Sequence, residues 1–293
     1  ANSTEGSVIK KIIGYMESGI KYSELKSELK GVYDYYDKLA NYAYNLEFDP
    51  RSIVGDDYNN INDRYYGNND VTGPDASHGT HVDGIIAAQR DNTIGIKGVA
   101  NNVKIMAVRC VPDGDERDKD VANAIRYAVD NGAKVINMSF GKAYNWNKEA
   151  VDEAVKYAES KDVLLVHGAG NDSKDLDKTT NYPNPIMASD KKRIQNWVEV
   201  GASSWTTGKS GLGSFSNYGK TMVDVFAPGV SIYSTTPGST YASYDGTSMA
   251  SPCTAGVAAL IRSYFPDLTA DQVREILMKS TTKVKGKVYF PGT

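Results

Sequence analysis

Cysteine and histidine are scarce in this sequence. Two cysteines, Cys110 and Cys253, among 293 residues exclude a disulfide framework and a four-cysteine zinc site. Each sits in an apolar stretch and reads as a buried free thiol. No charge of one sign dominates: 33 basic and 36 acidic residues leave a net charge of −3. Without a block of like charge, neither nucleic acid nor an anionic membrane finds an electrostatic footing. No apolar run approaches the ~18 residues of a membrane span. The opening Ala1-Asn2-Ser3-Thr4 lacks the basic and apolar regions of a signal peptide, so the chain reads as processed or as a fragment. Aromatic residues are not scarce, with 3 Trp, 20 Tyr and 6 Phe, which argues against disorder. A single α/β domain of roughly 250 residues fits this length and needs no covalent staples.

The texture changes along the chain. Tyr22, Leu25, Leu29, Val32, Tyr36, Leu39 and Ala43 follow one another by alternating steps of three and four, the stripe of an amphipathic helix expected to pack on the chain's own body. A polar run over 49–75 follows, rich in Asn and Asp, and reads as turns. From residue 76, helix and strand patterns alternate. Helices are expected over 78–90, 118–131, 148–160, 247–265 and 269–279, and strands over 103–108, 134–138, 163–166, 198–200 and 222–226. That alternation predicts an α/β fold with a mostly parallel sheet and helices on both faces, whose ligands bind beyond the carboxyl ends of the strands. The organisation expected is a helical and loop segment over 1–75, then a catalytic domain over 76–293.

Three local features carry chemistry. His78 lies in Ser77-His78-Gly79-Thr80-His81-Val82, at a helix entry, and imidazole suits proton transfer near neutral pH. A metal reading through His81 and Asp83 lacks HExxH spacing. Ser248 lies in Asp245-Gly246-Thr247-Ser248-Met249-Ala250-Ser251-Pro252, a turn-to-helix junction whose backbone N–H groups face an incoming anion. Its ordinary role would be a helix cap, with Pro252 in the first helical turn. Ala250 rather than Gly two places after Ser248 excludes the GxSxG elbow. Asn171 ends Val166-His167-Gly168-Ala169-Gly170-Asn171, where a side-chain amide can donate at a strand's end. Gly208-Lys209-Ser210 is not a phosphate loop, because Ser203 replaces the leading glycine.

Together with Asn137-Met138-Ser139-Phe140-Gly141 and Val223-Asp224-Val225-Phe226-Ala227-Pro228-Gly229-Val230, these strings resemble the subtilisin-like serine proteases, in the family's order. The resemblance implies a subtilisin-like three-layer fold and a serine endopeptidase acting on peptide or protein substrates. It implies His78 as general base, Ser248 as nucleophile and Asn171 as oxyanion donor. Ser139, Phe140 and Gly141, with Ala169 and Gly170, would line the pocket for the residue before the cut. An extracellular or cell-envelope location follows from the same likeness. No cofactor is implied for the chemistry. Residues 90–96 resemble the family's calcium loop, with Asn92 and the carbonyls of Arg90, Ile94 and Ile96 as ligands.

The sequence departs from the family in its acid. The family's aspartate precedes the histidine, after an apolar strand and before Ser/Thr-Gly. Asp56 and Asp57 follow only Ser52-Ile53-Val54-Gly55, with Tyr58 in place of the glycine. The expectation is therefore an upstream segment or separate chain that supplies the carboxylate. The rival class is a catalytically silent module that still holds extended peptides. Asp83, where the family has Ala, would cost stability if buried.

Overall fold

The computed structural model describes residues 4–206 and 211–283, in two units, Ala1–Ile53 and Val54–Thr293. The first is helical, with α1 (Thr4–Glu17), α2 (Tyr22–Lys38) and a π-helical turn at Leu39–Ala43. Of the stripe from Tyr22 to Ala43, Leu25 and Leu39 are buried and the other positions are not. Leu29 and Val32 stand 52% and 54% exposed, so most of the stripe is not packed as expected, and two of the other positions are tyrosines, whose hydroxyl tips tolerate water. The short α3 (Arg51–Val54) follows.

In the second unit, strands β1 (Val135–Met138), β2 (Leu164–Gly168), β3 (Trp197–Ser203) and β4 (Val225–Pro228) form a parallel sheet in that order. Every residue of β2 is buried. Because side chains alternate along a strand, Leu164 and Val166 join Val198 and Val200 on one face, while Leu165 and Trp197 take the other. The first face packs on α4 (Ser77–Ala87), α7 (Thr247–Tyr264) and α8 (Ala270–Lys279). The second packs on α5 (Asp118–Asp130) and α6 (Lys148–Ser160). The result is a three-layer α/β fold. Each fully buried Val or Leu contributes about 1.5–3 kcal/mol relative to exposure. Residues 54–75 are tied to α5: Asp56 pairs with Lys119 in a buried ion pair, and the Tyr66 hydroxyl donates to Asp120 over 2.6 Å.

Several expected elements differ. Residues 103–108 form no strand, and Ile105 and Met106 stand 42% and 41% exposed. A strand exists through its ladder bonds, and among the described residues this apolar run has no strand neighbour to make them. The helix from His78 ends at Ala87, where Ala88 turns extended and Gly98 packs so closely that an added Cβ would lie 2.3 Å from the Ala88 nitrogen. Pro252 lies inside α7, not in its first turn. An antiparallel hairpin, β5 (Ile232–Thr236) with β6 (Thr240–Tyr244), was not expected. Its Thr/Tyr-rich arms around Pro237-Gly238 are a signal that could have been used. Gly208, Lys209 and Ser210 lie outside the described residues.

Candidate active site

Pro252 explains the local shape of the Ser248 turn. Lacking an N–H, it cannot donate to the carbonyl four residues back, which is that of Ser248. The Ser139 hydroxyl takes that place, donating to the Ser248 carbonyl over 2.8 Å. Asn137 Nδ2 donates to Ser139 Oγ (2.9 Å), and Ser251 Oγ donates to Asn137 Oδ1 (2.7 Å). This network joins the carboxyl end of β1 to the first turns of α7. It leaves Ser248 half-buried at the second helical position, where a backbone N–H has no intrahelical acceptor. The Ser248 hydroxyl donates to the Ser139 carbonyl over 3.2 Å.

Asn171 is held from the same helix. Its Oδ1 accepts from the Thr247 backbone N–H (2.9 Å) and hydroxyl (3.0 Å), which commits the oxygen and leaves Nδ2 as the free end of the amide. The Gly170 N–H donates to Thr247 Oγ1 over 3.0 Å. Gly170 adopts φ +99°, and a Cβ there would meet Asn217 Nδ2 at 2.5 Å, so both conformation and space require glycine.

His78, Asn171 and Ser248 line one open cleft, with Tyr244 and Asp245 beside them. His78 is exposed at the rim. Crowding of the imidazole by protein, with the nearby His81, holds its pKa below the ordinary value against the pull of Asp75. It is therefore a neutral base at pH 7. Asp75 itself accepts from the Ser77 N–H over 2.8 Å. Asp56 is committed to Lys119, and Asp57 Oδ1 accepts from the Asn59 N–H.

His81 serves structure. It is fully buried, its Nε2 lies 3.0 and 3.1 Å from the carbonyls of Ile232 and Ala242, and its ring stacks on Tyr244. Those acceptors assign the proton to Nε2, and α4 is thereby pinned to the hairpin. Among the described residues no three His, Cys, Asp or Glu side chains group to hold a metal.

The two pocket strips lie side by side. Asn181 Nδ2 donates to the Ala169 carbonyl over 3.2 Å, and a Cβ on Gly141 would stand 2.8 Å from the same nitrogen. Sequence reasoning missed Asn181, Thr247 and Asn137, and no local motif at Asn181 would have flagged it. In the 90–96 loop, Asn92 Oδ1 already accepts from the Ile94 N–H over 3.1 Å. One amide oxygen and three carbonyls fall short of the roughly six to eight oxygens of a calcium shell, so these residues do not make such a site by themselves.

The sequence model of the subtilase family, peptidase S8, matches residues 10–290. The chain belongs to the subtilase family. It is 41% identical over 216 residues to the thermophilic serine proteinase of Bacillus sp. (strain AK1), covering 73% of this chain and 49% of that protein. It is 39% identical over 215 residues to subtilisin DY of Bacillus licheniformis, covering 73% of each. Thermitase of Thermoactinomyces vulgaris is 40% identical over 210 residues, covering 71% of this chain and 68% of thermitase. The matched part thus spans about half of the first relative and about seven-tenths of the other two. Among solved structures, sphericase superposes with a TM-score of 0.65 at 31% identity, covering 76% of this chain and 75% of sphericase. Kinship with subtilisins and thermitase supports a serine endopeptidase. No helix among the described residues of this subtilase is long and apolar enough to cross a membrane.

Proposed function

We propose that this subtilase hydrolyses peptide bonds, outside the cell or in its envelope, with Ser248 as nucleophile and His78 as general base. The observation that carries the reading is the cleft itself, which gathers His78 from α4, Ser248 from α7 and Asn171 from beyond β2. Ser248 attacks the carbonyl while neutral His78 takes its proton. The negative oxygen that forms is met by Asn171 Nδ2 and the Ser248 N–H, both held before reaction, so no reorganisation is needed at that moment. His78 then protonates the leaving amine, and water, giving a proton to the same imidazole, attacks the acyl ester, releases the acid and restores the Ser248 hydroxyl. The substrate lies along 139–141 as an added strand, and its residue before the cut enters between that strip and Ala169-Gly170.

The acid that orients His78 comes, in this reading, from a strand outside residues 1–293, upstream or on a separate chain. Its support is an open edge. β1 has β2 on one side and no strand on the other among the described residues, and the apolar run 103–108 is likewise unpaired.

A fluorophosphonate probe tests the nucleophile. It should modify Ser248 and fail on Ser248→Ala, whereas equal labelling of that variant, or labelling of another serine, overturns the assignment. Asn171→Ala should slow turnover by roughly 10²–10³ with little change in KM, since the amide bonds to the transition state. A raised KM with unchanged kcat would make it a ground-state contact instead.

A further inference from the structure

His167 is fully buried on β2, in register with Glu199 on β3. Both fall on the face that carries Leu165 and Trp197. His167 Nδ1 lies 2.9 Å from Glu199 Oε1, and its Nε2 lies 2.7 Å from the Phe140 carbonyl. Both acceptors are satisfied together when both ring nitrogens carry protons. Trp197 Nε1 donates to the other oxygen of Glu199 over 2.7 Å. A buried ion pair of this kind is expensive to desolvate and often no better for stability than apolar packing. Its position therefore calls for another reason.

Phe140 supplies one. In an extended strip, successive residues turn their backbone polar groups to opposite sides. The Phe140 carbonyl points inward to His167, and the Lys142 N–H and carbonyl point inward to Tyr182, each bond 2.9 Å. Ser139 and Gly141 then turn theirs outward, and the Ser139 carbonyl does meet Ser248 Oγ in the cleft. Among the described residues, His167 is the side chain that holds the Phe140 carbonyl, in the middle of this strip.

We infer that the His167–Glu199 pair is a positioning device that clamps the Phe140 carbonyl, so that Ser139 and Gly141 present their backbone groups to an extended peptide. The inference rests on the reading of 139–141 as the strip that substrate pairs with. His167 does not touch the reacting atoms; it acts through Phe140. Groups facing the ring favour its charged form. Burial alone would lower the imidazole pKa, but Glu199, the Phe140 carbonyl and the charge of Glu116 raise it. Lys142, in turn, lies close to Glu116 and pairs with Asp118.

The test uses the full chain. The double change His167→Leu with Glu199→Leu removes both charges together, which spares the fold from an unpaired one. Hydrogen exchange over 139–142 should accelerate at least tenfold, while exchange over α6 stays unchanged. The rate at which a tetrapeptidyl phosphonate labels Ser248, relative to a simple ethyl fluorophosphonate, should fall at least tenfold. His167→Gln, whose amide can still donate to the Phe140 carbonyl, should recover most of both. Unchanged exchange in a folded double variant overturns the clamp, and accelerated exchange with an unchanged labelling ratio overturns its link to substrate. If Ser248 is not labelled in the unaltered chain, the functional reading fails, and exchange alone still decides the clamp. Should the double variant not fold, His167→Met with Glu199→Gln decides: the amide oxygen still accepts from Trp197 Nε1, no unpaired charge is left, and the donor to the Phe140 carbonyl is lost. Its 139–142 exchange, corrected for intrinsic rate, should accelerate at least tenfold, and unchanged exchange overturns the inference.

Discussion

Residues 103–108 and 163–168 are both short, mostly apolar runs that begin with valine, Val-Lys-Ile-Met-Ala-Val and Val-Leu-Leu-Val-His-Gly, yet they have different fates. The second contains β2, paired on both sides and wholly buried. The first has no ladder, and most of its side chains face water. Propensity is similar, so the difference lies in neighbours: a strand is a relation between two backbones, stabilised by what lies beside it.

The largest effect should come from supplying that neighbour. An apolar strand ending in Asp-Ser-Gly or Asp-Thr-Gly, fused upstream or added in trans, should protect amides of β1 from exchange and raise turnover. In subtilisin, a relative, loss of the triad aspartate alone costs about 3 × 10⁴ in kcat, so the gain here should reach about 10³–10⁴. A control strand with Asn for Asp should protect β1 without the gain. A strand that neither protects β1 nor changes turnover would break the comparison and leave the acid to be sought within the chain.

Substitution sharpens the same contrast. Leu165 is fully buried in β2, and Leu165→Ala should cost about 2–5 kcal/mol in urea unfolding. Ile105→Ala, at a position 42% exposed, should cost within about 0.5 kcal/mol. An equal cost at Ile105 would mean that 103–108 is packed in solution.

What the sequence disclosed follows the same division. Helices from Asp118 and Lys148 and the strands β1 and β2 were legible because their own apolar periodicity fixes them, and β3 was legible in its core and then ran longer. His78, Asn171 and Ser248 were legible as motifs, and they do line one cleft. What stayed hidden depends on distant partners. The role of Asn181 arises from its packing against Gly141 and Ala169, and Pro252 became a helix-interior residue because Ser139 satisfies the carbonyl it leaves free. The His167–Glu199 pair needed the β2–β3 register, which no single stretch of sequence contains.

Helix α4 repeats the comparison at its smallest scale. His81 is buried with its Nε2 between two carbonyls, whereas Asp83, two residues on, is half-buried and its pKa is pushed up to about 6 by burial alone. In the unfolded chain an aspartate titrates near 3.9. The folded state therefore binds the proton more tightly, and the sign follows from linkage: Asp83 favours folding most below about pH 4 and loses that contribution as pH rises through 6. Two pKa units correspond to about 3 kcal/mol at most, less in practice because water reaches the exposed side of the carboxyl. Asp83→Asn keeps the shape and removes the titration. Relative to the unaltered chain, it should be more stable by about 1–3 kcal/mol at pH 7, with the advantage shrinking toward zero near pH 4. Urea unfolding of both proteins across that range measures the difference directly, and an advantage that is the same at pH 4 and pH 7 would show that the carboxylate is solvated as well in the fold as out of it.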